Sequence, residues 1–286
     1  MWGNSRLQGA PSVFALLSAS WIALELAEAL SCAPLSELRE SFSVVLAYLF
    51  AGRQDSAVAL RSLDFGIDQA GRFFWLRLTE KGKRRLRVRR VVRLPLDQRP
   101  VQGHESALPR VAALAARYLA GRVAACAEAG TALPEFLLQL PGETRPTTPA
   151  MSRWLAAALA RTGAEAPQGF AYLGHSLRAG AVSAMAAIGV PRHLYVWLGG
   201  WSPSSRTVDK HYIDPTVLQS PAAFELFGWA LSRQFVAGDG VPEVFVPLPD
   251  PRDPAEEGGR RTPPPPPRRG ARPRRSPGWR RFSPGQ

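Results

Sequence analysis

No acidic residue occurs between Gly258 and Gln286, a stretch of nine arginines, the run Pro263 to Pro267 and few apolar side chains. Such a segment buries too little apolar surface to offset the entropy of ordering, so it is expected to be disordered with local polyproline II structure. Whatever folds must fold upstream. The pattern of a folded body breaks between Phe235 and Pro249, where Gly238, Gly240 and several prolines fall. The chain accordingly divides into an upstream part that ends near residue 237 and a tail over residues 238–286.

The upstream part has material for a core. The 286 residues are 45% apolar, which excludes collagen, a coiled coil and a wholly disordered chain. Cys32 and Cys126 are the only cysteines, too few for a disulfide-stapled secreted scaffold and not spaced with His as a zinc site would be. A reducing compartment fits this usage. The longest apolar stretch, Pro11 to Leu24, is broken by Ser12, Ser18 and Ser20 and followed by Glu25 and Glu28, so no transmembrane helix is expected. The apolar run after Arg6 has the outline of a signal peptide, with Ala33 near a cut, but Glu25 and Glu28 stand against that reading.

Charge is focused rather than spread. With the tail set aside, 27 basic residues face 23 acidic ones. Between Arg72 and Arg93 ten Lys and Arg meet a single acid, Glu80, so the rest of the body is net acidic. Two concentrated basic regions, this segment and the tail, imply a polyanion partner at defined surfaces. A merely solvated surface would mix signs.

Apolar spacing predicts a helix over Ser36 to Phe50, through Leu38, Phe42, Val45, Leu46 and Leu49. Two strands follow, Phe73 to Thr79 and Arg85 to Arg89, the second alternating so that one face is basic and the other apolar, with Lys81-Gly82-Lys83 as the turn. Further helices are predicted over Pro109 to Glu128, over Pro149 to Arg161 with Thr148 as cap and Gly163 past the end, and over His175 to Ile188, closed by Gly189. A short one over His193 to Leu198 and last helices holding Tyr212 and Phe224 to Phe235 complete an α+β fold, mostly helix with one small antiparallel sheet.

His175-Ser-Leu-Arg178-Ala-Gly180 places an imidazole and a guanidinium three residues apart, on one face near a helix N-terminus. Together with free helix amides that arrangement suits a phosphate. Leu198-Gly199-Gly200-Trp201 and then Lys210-His211-Tyr212-Ile213 follow within forty residues.

In this order the segments resemble the tyrosine recombinase and integrase family, whose catalytic domain carries an early Arg, a hairpin Lys, H-x-x-R, a His or Trp, and a nucleophilic Tyr. Ala51-Gly52-Arg53, followed by Leu60-Arg61, is similar to the family's Gly-x-Arg segment, although nothing separates Gly52 from Arg53. Lys81 matches the Lys at the tip of the hairpin, with Lys83 its near competitor. The resemblance covers Leu35 to Gln234, making residues 35–237 the catalytic domain. The Ser-Leu-Arg and Gly-Gly-Trp wording is faintly similar to recombinases of eukaryotic mobile elements. Tyr212 lies eleven residues after Trp201, where the family has about nine; the ninth here is Lys210. Arg53 comes so early that the family's N-terminal clamp domain is expected to be missing, with residues 1–34 its remnant.

What the resemblance implies is a set of catalytic residues, Arg53, Lys81, His175, Arg178, Trp201 and Tyr212. Tyr212 would attack a phosphodiester of double-stranded DNA, leaving a 3′-phosphotyrosine and a free 5′-hydroxyl. No metal, ATP or other cofactor is called for, because the bond energy is kept in the covalent intermediate. Arg53 and Arg178 would hold the non-bridging oxygens, Lys81 would protonate the leaving 5′-oxygen, and Trp201 would offer its indole N–H. His175 would assist the nucleophile, since an unperturbed phenol ionises only near pH ~10. Assembly on DNA as a multimer is implied too, with a nuclear location in a eukaryote or a cytoplasmic one otherwise, and no membrane. The alternatives are a catalytically inactive DNA-binding remnant, a type IB topoisomerase, or an interaction protein acting through Pro263 to Pro267.

Overall fold

A computed structural model describes residues 16–67, 73–81, 87–96 and 99–231. The tail and the boundary near residue 237 lie outside these, as do Lys83 and the rest of the hairpin turn.

Helices α1 (Ala19–Cys32) and α2 (Leu35–Leu49) come first, then the single-turn α3 (Gln54–Val58). Strands β1 (Phe65–Ile67), β2 (Phe73–Lys81) and β3 (Arg87–Pro95) follow. The remainder is helical: α4 (Leu108–Ala129), α5 (Thr148–Arg161), α6 (Gly174–Ala187), α7 (Arg192–Leu198), α8 (Thr207–His211) and α9 (Pro221–Phe227), the last running into a 3₁₀ turn at Gly228–Leu231. This is the mostly helical α+β architecture expected. Among the described residues no helix is long and apolar enough to cross a membrane.

α2 is the axis of the body, packed against α1, α4, α5 and α6. Its helical spacing suggested one apolar face, but every residue from Ser41 to Phe50 is buried. The two serines on this stretch are absorbed locally: Ser41 donates to Glu25 and Ser43 to the Glu40 carbonyl, so neither leaves an unmet donor in the core.

Glu25 is itself buried on α1, where Arg161 of α5 pairs with it and with Glu40. The carboxylate that argues against a membrane segment thus ties three helices together. α1 also contributes Trp21, Ile22 and Leu26 to the same core, and the Trp21 indole donates to Thr162.

The sheet is antiparallel, in the order β1-β2-β3. Its apolar face brings Phe65 opposite Leu76, Leu76 opposite Val92, and Phe74 opposite Leu94, all buried. Of the strand expected over Arg85 to Arg89, Arg85 and Leu86 lie outside the described residues; from Arg87 the strand runs on past Arg89 through the apolar Val91, Val92 and Leu94. β1, only three residues long, is too short to show an alternation. In α4, Tyr118 and Arg122 are buried; Arg122 donates to the carbonyls of Pro134, Phe136 and Gln139, and Tyr118 to that of Leu137. These bonds fix a connection that has no regular structure of its own.

α5 starts one residue earlier than expected. Thr147, not Thr148, takes the cap position, and its side chain makes no capping bond.

Candidate active site

α6 carries the His175 and Arg178 pair. Its first turn is set by Ser176, whose buried hydroxyl accepts from the Leu173 amide. Gly180, two residues after Arg178, is where the backbone of Leu17 crosses the helix: a Cβ there would lie 2.0 Å from the Leu17 carbonyl oxygen. Since that neighbour is backbone, it cannot give way, and only glycine fits.

The Arg178 guanidinium is buried, with the residue 1% exposed. One terminal nitrogen donates to the Ala51 carbonyl and the other to the Gly199 carbonyl, both at 2.7 Å. Its flat face lies 3.5 Å from the centre of the Trp201 ring and 5.4 Å from that of Tyr212, so two aromatic rings share one cation.

Each residue of Leu198-Gly199-Gly200-Trp201 serves this contact. α7 ends at Leu198, and Gly200 takes φ +72° so that the chain reverses and the Trp201 amide reaches the Val196 carbonyl. Gly199 leaves room for the indole to fold back; a Cβ there would fall 1.9 Å from the Trp201 ring.

Tyr212 is the residue just past α8, its amide bonded to the Val208 carbonyl. Its phenol oxygen is 3.3 Å from His175 Nδ1, and its ring meets Trp201 edge-on at 5.0 Å between centroids. The backbone beyond it is latched by buried Ser183, which donates to the Tyr212 carbonyl and accepts from the Asp214 amide.

Four of the six expected residues, His175, Arg178, Trp201 and Tyr212, therefore converge. Arg53 stands at the start of α3, exposed, and its side chain makes no hydrogen bond or ion pair among the described residues. It is two residues from the Ala51 carbonyl that Arg178 holds. Lys81 ends β2 with its backbone opposite Arg87.

The irregular Gly-x-Arg segment has a physical reading. Ala51, not Gly52, adopts the left-handed conformation after α2, at φ +44°. One residue then separates the left-handed position from Arg53, and Ala51 stands where the spacing calls for glycine. Ser183, Arg192 and Asp209, which hold the segment around Tyr212, had no recognisable signal in the sequence, because each is defined by a partner distant in the chain. Among the described residues no group of three or more His, Cys, Asp or Glu side chains gathers into a metal site.

No protein-family model and no curated protein sequence matches the chain. Solved structures do. XerH site-specific recombinase bound to palindromic difH substrate, in a post-cleavage complex, aligns with a TM-score of 0.50 at 14% identity, over 72% of this chain and 51% of that one. XerA recombinase gives 0.48 at 16% identity, over 76% and 65%. A lambda integrase dimer bound to a COC′ core site gives 0.46 at 15%, over 76% and 53%. The chain thus spans about half the length of XerH. The body has the fold of a tyrosine recombinase or integrase catalytic domain. The matches lend no support to a eukaryotic mobile-element origin.

Proposed function

We propose that the chain cleaves and rejoins double-stranded DNA, with Tyr212 as the nucleophile. The observation that carries this is the 3.3 Å approach of the Tyr212 phenol to His175 Nδ1, beside the Arg178 guanidinium. With Nδ1 unprotonated, the imidazole accepts the phenolic proton as the oxygen attacks phosphorus. The bond to the 5′-oxygen breaks, Lys81 supplies the proton that oxygen needs, and a 3′-phosphotyrosine remains. Attack by a 5′-hydroxyl then reverses the sequence on the same or another strand. Arg178 opposes the charge that grows on the non-bridging oxygens. Arg53, exposed and two residues along the chain from the carbonyl that Arg178 holds, supplies a second guanidinium.

A duplex nicked just 3′ of the scissile phosphate lets the short fragment bearing the free 5′-hydroxyl escape and traps the intermediate. Incubated in chelator, the full chain should give a denaturant-resistant, protease-sensitive adduct, and Tyr212→Phe should remove it while DNA binding persists. An adduct that survives this change, or one that forms only with magnesium, would sink the mechanism. Lys81→Ala should slow cleavage strongly with an ordinary 5′-oxygen leaving group and much less with 5′-sulfur, which leaves without a proton. Equal losses would transfer the role elsewhere, and Lys83→Ala in the same comparison tests its neighbour.

A second reading, a non-catalytic DNA-binding protein, is favoured by the closure of Arg178. Both terminal nitrogens are engaged by carbonyls and the Trp201 ring covers the guanidinium face. DNA binding with no adduct on any nicked duplex would select it.

A further inference from the structure

Tyr212 follows a helix too short to hold itself in place. α8 has five residues, and an isolated helix of that length is unstable in water because nucleation costs more than so few bonds return. Of its side chains only Val208 is buried. Ser183 latches the chain beyond Tyr212, which leaves the approach to α8 to be fixed by something else.

That is done by Arg192, the first residue of α7. Its Nε donates to Asp209 Oδ1 at 3.0 Å and one terminal nitrogen to Oδ2 at 2.7 Å, a two-pronged grip on a carboxylate within α8. The same guanidinium donates to the Pro203 carbonyl at 3.1 Å and the Ser205 carbonyl at 2.6 Å. One side chain thereby joins α7, the connecting loop and α8. This loop lies within the interval from Trp201 to Tyr212 that is longer than the motif calls for. The Arg192 hydrogen bonds also hold the Asp209 carboxyl below its ordinary range, so both partners stay charged at neutral pH.

We infer that Arg192 and Asp209 form a positioning clamp that sets the reach of the Tyr212 phenol and accommodates the longer connection. The inference rests on the reading of Tyr212 as nucleophile. Neither residue meets the reacting atoms; both act through α8. The pair is about 40% exposed on each side, so it adds little to global stability. A misplacement of the attacking atom by about 1 Å, in contrast, costs ~100-fold in rate. The clamp should therefore show in the rate and hardly at all in the melting temperature.

The test uses the full chain and the nicked duplex at saturating concentration. Arg192→Ala and Asp209→Ala should each slow adduct formation by about 10- to 100-fold, with DNA affinity held within about twofold. The double variant should be no slower than the slower single one, since both changes break the same contact. Arg192→Lys keeps the charge but cannot span the carboxylate and both carbonyls, and should fall between. Amide hydrogen exchange over residues 202–212 should quicken in each alanine variant, with α4 and α6 unchanged. Additive losses, unchanged exchange, or a loss confined to DNA affinity would each overturn the clamp. If the unaltered chain forms no adduct, the nucleophile reading falls and takes the clamp's catalytic purpose with it. The exchange arm still decides whether Arg192 holds α8.

Discussion

The two halves of the candidate site are built to different standards of rigidity. Arg178 is held by the core: its helix crosses the Leu17 backbone at Gly180, its nitrogens meet two carbonyls, and an indole lies over it. Tyr212 hangs from one turn of helix with a single buried side chain, kept in place by polar contacts at either end. A group that must grip charge without reorganising gains from being fixed in advance. Under the proposed function Tyr212 would attack phosphorus, become covalently bound and later be released, which calls for a segment that can move, and weakly packed segments open at low free-energy cost. For the proposed chemistry the contrast places the obstacle on the rigid side, since Trp201 would have to shift, or phosphate enter from the edge, for Arg178 to reach it.

The contrast is broken most directly at its rigid half. Arg178→Ala removes the donor for two carbonyls and leaves a void beneath Trp201. Loss of a buried charged hydrogen-bonding group of this kind costs ~3–5 kcal/mol. The denaturant midpoint should fall accordingly at constant slope, and the adduct should vanish. Arg192→Ala should leave the midpoint nearly unmoved. Equal losses from the two would mean that α8 is as integral to the core as α6, and the proposed difference in rigidity would fail.

The fold was legible wherever periodicity spans a whole element, as in α4 and α6, and the antiparallel hairpin followed from alternation. It was less legible where burial depends on partners far along the chain. Arg122 looks like a surface residue of an apolar helix, yet it organises the loop before α5 by donating to three of its carbonyls. Glu25 marks polarity in the sequence and an ion pair inside the molecule. The candidate site residues stand in the sequence as an ordered set of short motifs, and four of them lie together in the fold. Their supports were not legible there. Ser183 is one polar position on an Ala-rich helix, and Asp209 and Arg192 are ordinary charges until the fold places them 2.7 Å apart.

Ser183→Ala sharpens the comparison from the mobile side. Its hydroxyl bridges the Tyr212 carbonyl and the Asp214 amide at 3.0 and 2.9 Å, and removing it leaves both without that partner. Tyr212 and Asp214 are partly exposed, so water can replace some of what is lost. The expected cost is ~1–2 kcal/mol by chemical denaturation. Faster hydrogen exchange should be confined to the segment around Tyr212. A cost near that of Arg178→Ala, with exchange spreading into α6, would show that the latch supports the core and not the Tyr212 segment alone.

The smallest expected effect lies at Ala51, and its sign is the test. A non-glycine residue in the left-handed region carries a penalty of ~1–2 kcal/mol, which Ala51→Gly would remove. Glycine in turn gives the unfolded chain more freedom to lose, worth ~0.4–1 kcal/mol in the opposite direction. The balance favours glycine, so the variant should be more stable by ~0.5–1 kcal/mol. No side-chain contact to Arg178 is lost, because the guanidinium is held by the Ala51 carbonyl and not by its methyl group. Ala51 is nevertheless fully buried, and its methyl contributes a little packing that subtracts from the gain. A variant that is stabilised and forms adduct at an undiminished rate would mean that the strain is only tolerated. A stabilised variant that cleaves more slowly would mean that the strained turn sets where the Arg178 guanidinium points, placing Ala51 on the rigid side of the site for a functional reason.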